Sequence, residues 1–276
     1  MCWILLLLLF WLLMVTCTYM IFYYEAANGS HLELMRSKGS VPLLLLKGFF
    51  WTLYSHLVLA SLTLTALHRS FWQLSAEPAN RTPIVFVHGL YHNHTAWRLY
   101  LGWFRKWGWR HVKAINLTGK FRSIKDFTQI LASEVDEILA ETGCDKTDLV
   151  GHSMGGLVIR SYLKGNSAKA KVRRIVTLGS PHSGSKLAVF AVGDAAREMH
   201  PGSPFLETLN QAGRQVPEGV GFYAIYSIVD NMVLPNDSAR LPGDEVKNIE
   251  APVVNHVGLL FSRRTAGLVR QCLEKG

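Results

Sequence analysis

The chain has 276 residues, 49% of them hydrophobic, and a formal net charge of +9. That length accommodates one substantial core plus an appendage, and a mean hydropathy of +0.15 is high for a purely soluble protein. Lys and Arg are scattered, Lys171, Arg173 and Arg174 forming the densest group, and no nucleic-acid-binding module is recognisable, so no nucleic-acid partner is expected. The cationic surplus suits attraction to anionic lipid headgroups, and equally simple solubility. Of four cysteines, Cys2 and Cys17 lie in an apolar run, leaving Cys144 and Cys272, which make neither a disulfide framework nor a metal-ligand spacing.

Residues 1–24 carry no charged side chain and are dominated by Leu, Trp, Phe and Tyr, enough to cross a hydrocarbon core as a helix. A cleaved signal peptide would need a basic leading segment and a small-residue cleavage site, and neither stands out. A second apolar run, 48–67, has His56 as its only group titrating near neutrality, with Trp51 and Tyr54 near one end and Phe71 and Trp72 beyond the other as interfacial anchors. Two spans make a membrane hairpin over 1–74, with the N-terminus and the downstream domain on one side. The alternative for the second run is an apolar helix docked on that domain. The expected location is the bacterial inner (cell) membrane, and the charges flanking the runs do not decide which side the domain faces. The polar stretch 75–82, with Pro78 and Asn80, reads as a linker to a catalytic domain over 83–276.

From Pro83 onward apolar and polar runs alternate as strand and helix units. Strands are expected at 84–87, 112–117, 148–150, 174–178, 222–228 and 249–254, and helices at 95–107, 127–140 (ending near Gly143), from about 157 to 163, and at 262–272. This alternation predicts an α/β fold with a mainly parallel central sheet covered on both faces.

Gly151-His152-Ser153-Met154-Gly155 fits G-x-S-x-G at the junction of a short apolar strand and a helix, the signature of a nucleophile elbow. A serine there attacks a carbonyl only with a base to take its proton and donors to hold the oxyanion. In the chain order Ser, then acid, then His, the candidates are Asp230 in Tyr226-Ser227-Ile228-Val229-Asp230 and His256 in Asn255-His256-Val257-Gly258. His256 would serve as base and then acid, and Asp230 would fix its tautomer. Asp237 and Asp244 are rivals for the acid and His182 for the base, although His182 precedes every candidate acid and reads as a hydrogen-bonded loop residue. His152 is expected to point elsewhere, as a packing or supporting group. The oxyanion donors would be the N–H groups of Met154, after the nucleophile, and Leu90, in the loop after the first strand. His88, His92 and His94 cluster, but no carboxylate or cysteine completes a metal-ligand set nearby, and the proposed chemistry requires no cofactor. Residues 185–219, apolar at Leu187, Val189, Phe190 and Val192, could form a lid over an acyl pocket, or simply a helix and loop.

Several pieces in order resemble the bacterial lipase families of the α/β-hydrolase superfamily, especially the small lipases and the lipase and GPI-inositol-deacylase-like group. They are Val85-Phe86-Val87-His88-Gly89-Leu90; Asp148 to Leu157 with Arg160 and Tyr162; Leu178 to Gly184; Pro201 to Leu206 with Leu209 and Asn210; and Ala224 to Asp230 with Asn255 to Leu259. The resemblance covers roughly 80–260 and implies an α/β-hydrolase fold, Ser153, Asp230 and His256 as a triad, and Leu90 and Met154 as oxyanion donors. The hairpin lies outside the family's common core. Beside a membrane, the expected activity is that of a lipase or phospholipase-like esterase on a hydrophobic ester. Acyl transfer or thioester cleavage by the same triad, a membrane-tethered binding protein on a silent hydrolase fold, and a peptidase are the competing readings; the oligomeric state is not legible.

Overall fold

The computed structural model describes residues 2–63, 74–75, 77–119, 122–165, 168–211 and 216–275. Among the described residues six strands form one sheet: β1 (Ile84–Val87), β2 (Val112–Ala114), β3 (Thr147–His152), β4 (Val172–Leu178), β5 (Gly221–Tyr226) and β6 (Val246–Glu250). Every neighbouring pair is parallel, in the order β2-β1-β3-β4-β5-β6. Parallel strands need crossovers that cover both faces, which is why these strands read as buried runs rather than as alternation. Along β1, Val85 and Val87 enter the core on one side and Ile84 and Phe86 the core on the other.

One face is covered by α5 (Ile124–Thr142) and α6 (Met154–Leu163), the other by α4 (Arg98–Lys106) and α9 (Arg263–Glu274). Helix α5 starts where Ser123 and Asp126 form a reciprocal capping box, and it stops at Gly143, whose φ of 64° ends the helix in the left-handed region. Two short helices, α7 (Asp194–Glu198) and α8 (Pro204–Leu209), lie in the excursion between β4 and β5. The chain has the α/β-hydrolase fold.

Ahead of the sheet come α1 (Cys2–Asn28), α2 (His31–Lys38) and α3 (Val41–Thr63). Helices α1 and α3 are long and apolar enough to cross a membrane, and both keep most of their surface outside the protein core. They run antiparallel: Tyr19 Oη meets Thr52 Oγ1 at 3.1 Å, and the Trp11 indole donates to His56 Nδ1 at 3.2 Å. Close approach is possible because Gly48 has no side chain; a methyl there would sit 2.7 Å from Tyr19 Oη and 3.2 Å from Val229 Cβ.

The hairpin does not stand free. One face of α3 rests on the part of the chain that carries the sheet, through Leu44 against the cluster of Ile228, Val229 and Leu234, Ser55 Oγ donating to Asn255 Oδ1 (3.3 Å), Trp51 over Gly258, and Val58, Leu59 and Leu62 at the core beneath. Asn231 reaches Thr18 (2.9 Å), and the His31 ring hydrogen-bonds the Ile228 carbonyl (2.8 Å). The opposite faces, with Leu6, Leu7, Phe10, Leu46, Phe50 and Leu57, are exposed. The docked arrangement weighed for the second run is therefore present, and both helices keep an apolar outer face.

Several boundaries differ from the sequence reading. Helix α3 begins at Val41 rather than near 48, because Pro42 in its first turn favours helix entry and Lys47 is accommodated within it. The connecting segment forms the short helix α2. Strand β2 ends at Ala114 rather than 117, and β6 spans Val246–Glu250 rather than 249–254. Beyond β6, Pro252 brings no backbone donor, and 251–255 leave the sheet as the approach to His256. The end of the second apolar run, 64–67, and Phe71 and Trp72 lie outside the described residues.

Candidate active site

Ser153 occupies the turn between β3 and α6 with φ 54° and ψ −125°, a backbone conformation seldom adopted by a residue with a side chain. Its surroundings hold it there: its N–H donates to Leu178 O (2.9 Å) and its carbonyl accepts from Gly156 N–H (3.0 Å). The flanking glycines are steric requirements. A methyl on Gly151 would lie 2.7 Å from the Gly155 carbonyl carbon and the Gly156 nitrogen, and one on Gly155 would overlap the Val87 carbonyl oxygen.

Asp230 follows β5 and His256 follows β6, so all three candidate residues gather at the carboxyl ends of parallel strands, where open α/β sheets place ligands. His256 Nδ1 and Asp230 Oδ2 are 2.8 Å apart, with the Asp230 side chain wholly buried and that of His256 only 7% exposed. The other carboxylate oxygen of Asp230 accepts the N–H groups of Met232 (2.9 Å) and Val233 (3.0 Å), and its carbonyl accepts from Asn236 Nδ2 (3.0 Å). These bonds compensate a buried charge and aim one oxygen at the imidazole. The rivals lie elsewhere: Asp237 is exposed and paired with Arg240 at 3.4 Å, and Asp244 is exposed.

Ser153 and His256 line one cavity of about 260 Å³, mostly apolar, whose wall also includes Leu90, His152, Leu187, Met199 and Val233. Leu90 lies in the loop after β1, as anticipated, and Gly89 makes room for the elbow: a methyl there would be 2.9 Å from Ser153 Cβ. Met154 is the first residue of α6, so its N–H has no acceptor within the helix. The segment from Ser185 supplies Leu187, Ala188 and Ala191 to the cavity wall while Val189, Phe190 and Val192 face outward.

The histidines resolve into distinct roles. His88 bridges the Gly89 carbonyl (2.8 Å) and the Leu117 N–H (2.9 Å), and burial lowers its pKa to about 4. His92 stacks on His152 with ring centroids 5.8 Å apart, and burial lowers its pKa to about 3. His182 is buried, its ring beside Thr177 Oγ1 (3.1 Å), and its carbonyl accepts from Arg160 and Asn210, the loop role expected of it.

His152 is a packing group, as expected, and departs from expectation only in its direction. It does not point away from the site: its ring packs 4.6 Å from that of His256, its Nε2 meets the His256 carbonyl oxygen at 3.1 Å, and it lines the cavity. Burial and the neighbouring His256 push its pKa well below the ordinary value. It therefore supports the loop carrying His256 while remaining neutral, so no second cation opposes an imidazolium at His256. His56 is a cavity-lining residue that the sequence does not connect with the chemistry, because only the docking of α3 brings it there.

The family model for palmitoyl protein thioesterase matches residues 83–212. A triacylglycerol lipase of Pseudarthrobacter phenanthrenivorans is 43% identical over 60 residues, which are 22% of this chain and 18% of that lipase, so the chain matches under a fifth of that relative's length. Among solved structures, Bacillus licheniformis lipase BlEst2 in mature form superposes with a TM-score of 0.59 at 21% identity, covering 73% of this chain and 96% of that one. Aspergillus fumigatus lipase B gives the same TM-score at 19% identity, covering 68% and 52%. By its parallel sheet and its strained serine turn the chain has the α/β-hydrolase fold, and its likenesses are to palmitoyl protein thioesterase and to lipases.

Proposed function

We propose that the protein is a membrane-anchored serine ester hydrolase that acts on a lipid or other hydrophobic carboxylic ester through an acyl-enzyme on Ser153. The observation that carries this reading is the 2.8 Å contact between buried Asp230 and His256, with His256 and the strained Ser153 facing one apolar cavity. His256 takes the Ser153 proton as Oγ bonds to the ester carbonyl carbon, then protonates the departing alcohol as the carbon–oxygen bond breaks. Water, deprotonated by His256, cleaves the acyl-serine and regenerates the hydroxyl. Asp230 holds the imidazole proton on Nδ1, and the N–H groups of Met154 and Leu90 receive the oxyanion.

Residues 1–74 serve as the anchor and 75–82 as its tether to the catalytic part, 83–276. The exposed apolar faces of α1 and α3 support contact with lipid, with the catalytic domain held against the bilayer. The same triad would cleave a thioester with a thiol as leaving group, a second reading favoured by the palmitoyl protein thioesterase match.

The test is turnover of short- and long-chain p-nitrophenyl esters by the full chain in detergent. Activity should fall at least about 10³-fold in Ser153→Ala. A full-length protein inert on oxygen esters and on an acyl thioester alike would end the enzyme reading.

A further inference from the structure

The hairpin contributes to the cavity as well as to its surroundings. His56, from α3, lines the same cavity as Ser153 and His256. It is half-buried, and its Nδ1 accepts a hydrogen bond from the Trp11 indole N–H of α1 at 3.2 Å. An indole only donates, so His56 must present a bare Nδ1 and, as a neutral imidazole, keep its proton on Nε2. Two hairpin helices thus cooperate to fix one tautomer of one ring beside the nucleophile.

Polar groups within apolar membrane-associated helices are costly and point to function when they face a cavity. A purely structural clasp between α1 and α3 already exists one to two turns away, in Tyr19 with Thr52. The cavity wall is otherwise mostly apolar, with Leu187, Ala188, Met199, Val233 and Val257 suited to an acyl chain. An ester entering it brings oxygen atoms that lose water and need a donor.

We infer that His56, oriented by Trp11, is a substrate-positioning residue whose Nε2–H donates to an oxygen of the bound ester, so that the anchor completes the substrate site. This rests on the hydrolase reading above. It assigns the anchor a part in recognition: a lipid ester is gripped by a group that only the docked hairpin supplies.

The experiment compares full-length wild type with His56→Leu, His56→Gln and Trp11→Phe in detergent micelles, using p-nitrophenyl palmitate. KM, kcat, thermal midpoint and fluorophosphonate labelling of Ser153 are measured for each. His56→Leu should raise KM about tenfold, the equivalent of one neutral hydrogen bond, with a much smaller change in kcat. A glutamine can accept from Trp11 through its carbonyl and still donate through its amide, so His56→Gln should restore most of the KM. Trp11→Phe frees the tautomer and should fall between. Unchanged KM in His56→Leu would overturn the inference, as would equal losses in the Leu and Gln variants that track a lowered thermal midpoint, which is what a merely structural ring would give. Wild-type protein that neither turns over ester nor labels at Ser153 would instead overturn the hydrolase reading itself.

Discussion

Asp230 has two oxygens with separate duties, one accepting two backbone N–H groups and the other facing His256. Asp230→Asn preserves the first duty through its carbonyl oxygen but presents an N–H to the Nδ1 proton of His256. The ring must then flip its tautomer, leaving Nε2 protonated and unable to serve as base. The expected result is a folded protein with kcat reduced about 10⁴-fold, read from ester turnover together with an unchanged thermal midpoint. His88 and the partly buried His92 set a pH dependence of their own. His88 has a folded pKa of about 4 and His92 about 3, both below the ordinary 6.5, so the unfolded chain binds more protons in that interval. Stability contributed by these neutral rings is complete above about pH 6.5 and is lost as pH falls toward 4. His88 alone accounts for up to about 3 kcal/mol at the low end. Thermal midpoints recorded from pH 7 to 4.5 should decline, and less so in His88→Gln; a flat profile would contradict the assignment.

The hairpin and the loops after β5 and β6 form one packed unit. Tyr19, Phe22, Met35 and Leu44 share a buried cluster with Ile228 and Val229, which immediately precede Asp230, and with Leu234, and Ser55 reaches Asn255 beside His256. Removing 1–74 would expose those side chains, each worth roughly 1.5–3 kcal/mol of burial, and loosen the two loops that carry Asp230 and His256. A fragment of 75–276 should therefore melt about 10 °C below the full chain in the same detergent and turn over ester more slowly. Matching midpoints and rates would mean that the docking carries no energetic weight. This is also the scale at which the sequence spoke least. Strands β1, β3 and β4 and helices α5 and α6 are legible because each contains a short apolar or helically periodic run with glycine, serine or proline at or next to one end. Edge strand β6 was not: Lys247 and Asn248 face solvent, and the more apolar 251–254 imitates a strand while serving as the approach to His256. Helix α2 was missed because eight mixed residues between two apolar runs carry little periodicity. Ser153, Asp230 and His256 could be chosen from motif and chain order. The place of His152 under His256, and of His56 in the cavity wall, depends on contacts between residues about 100 and 200 positions from their partners in the sequence, which no local pattern records.

For the whole molecule, the parallel sheet gathers loops from β1, β3, β5 and β6 at one end, and α3 lies against that end with its apolar outer face turned away. On the proposed reading, with α1 and α3 as the membrane anchor, an ester leaving a lipid layer would meet the cavity beside those helices. The central claim is that Ser153 is an activated nucleophile in this setting. The measurement that tests it most directly is mass-spectrometric mapping of the full-length protein after reaction with a fluorophosphonate. The account predicts a single phosphonylated peptide modified at Ser153, with the adduct formed far more slowly in His256→Ala. Modification at another serine, or equal labelling with and without His256, would contradict it.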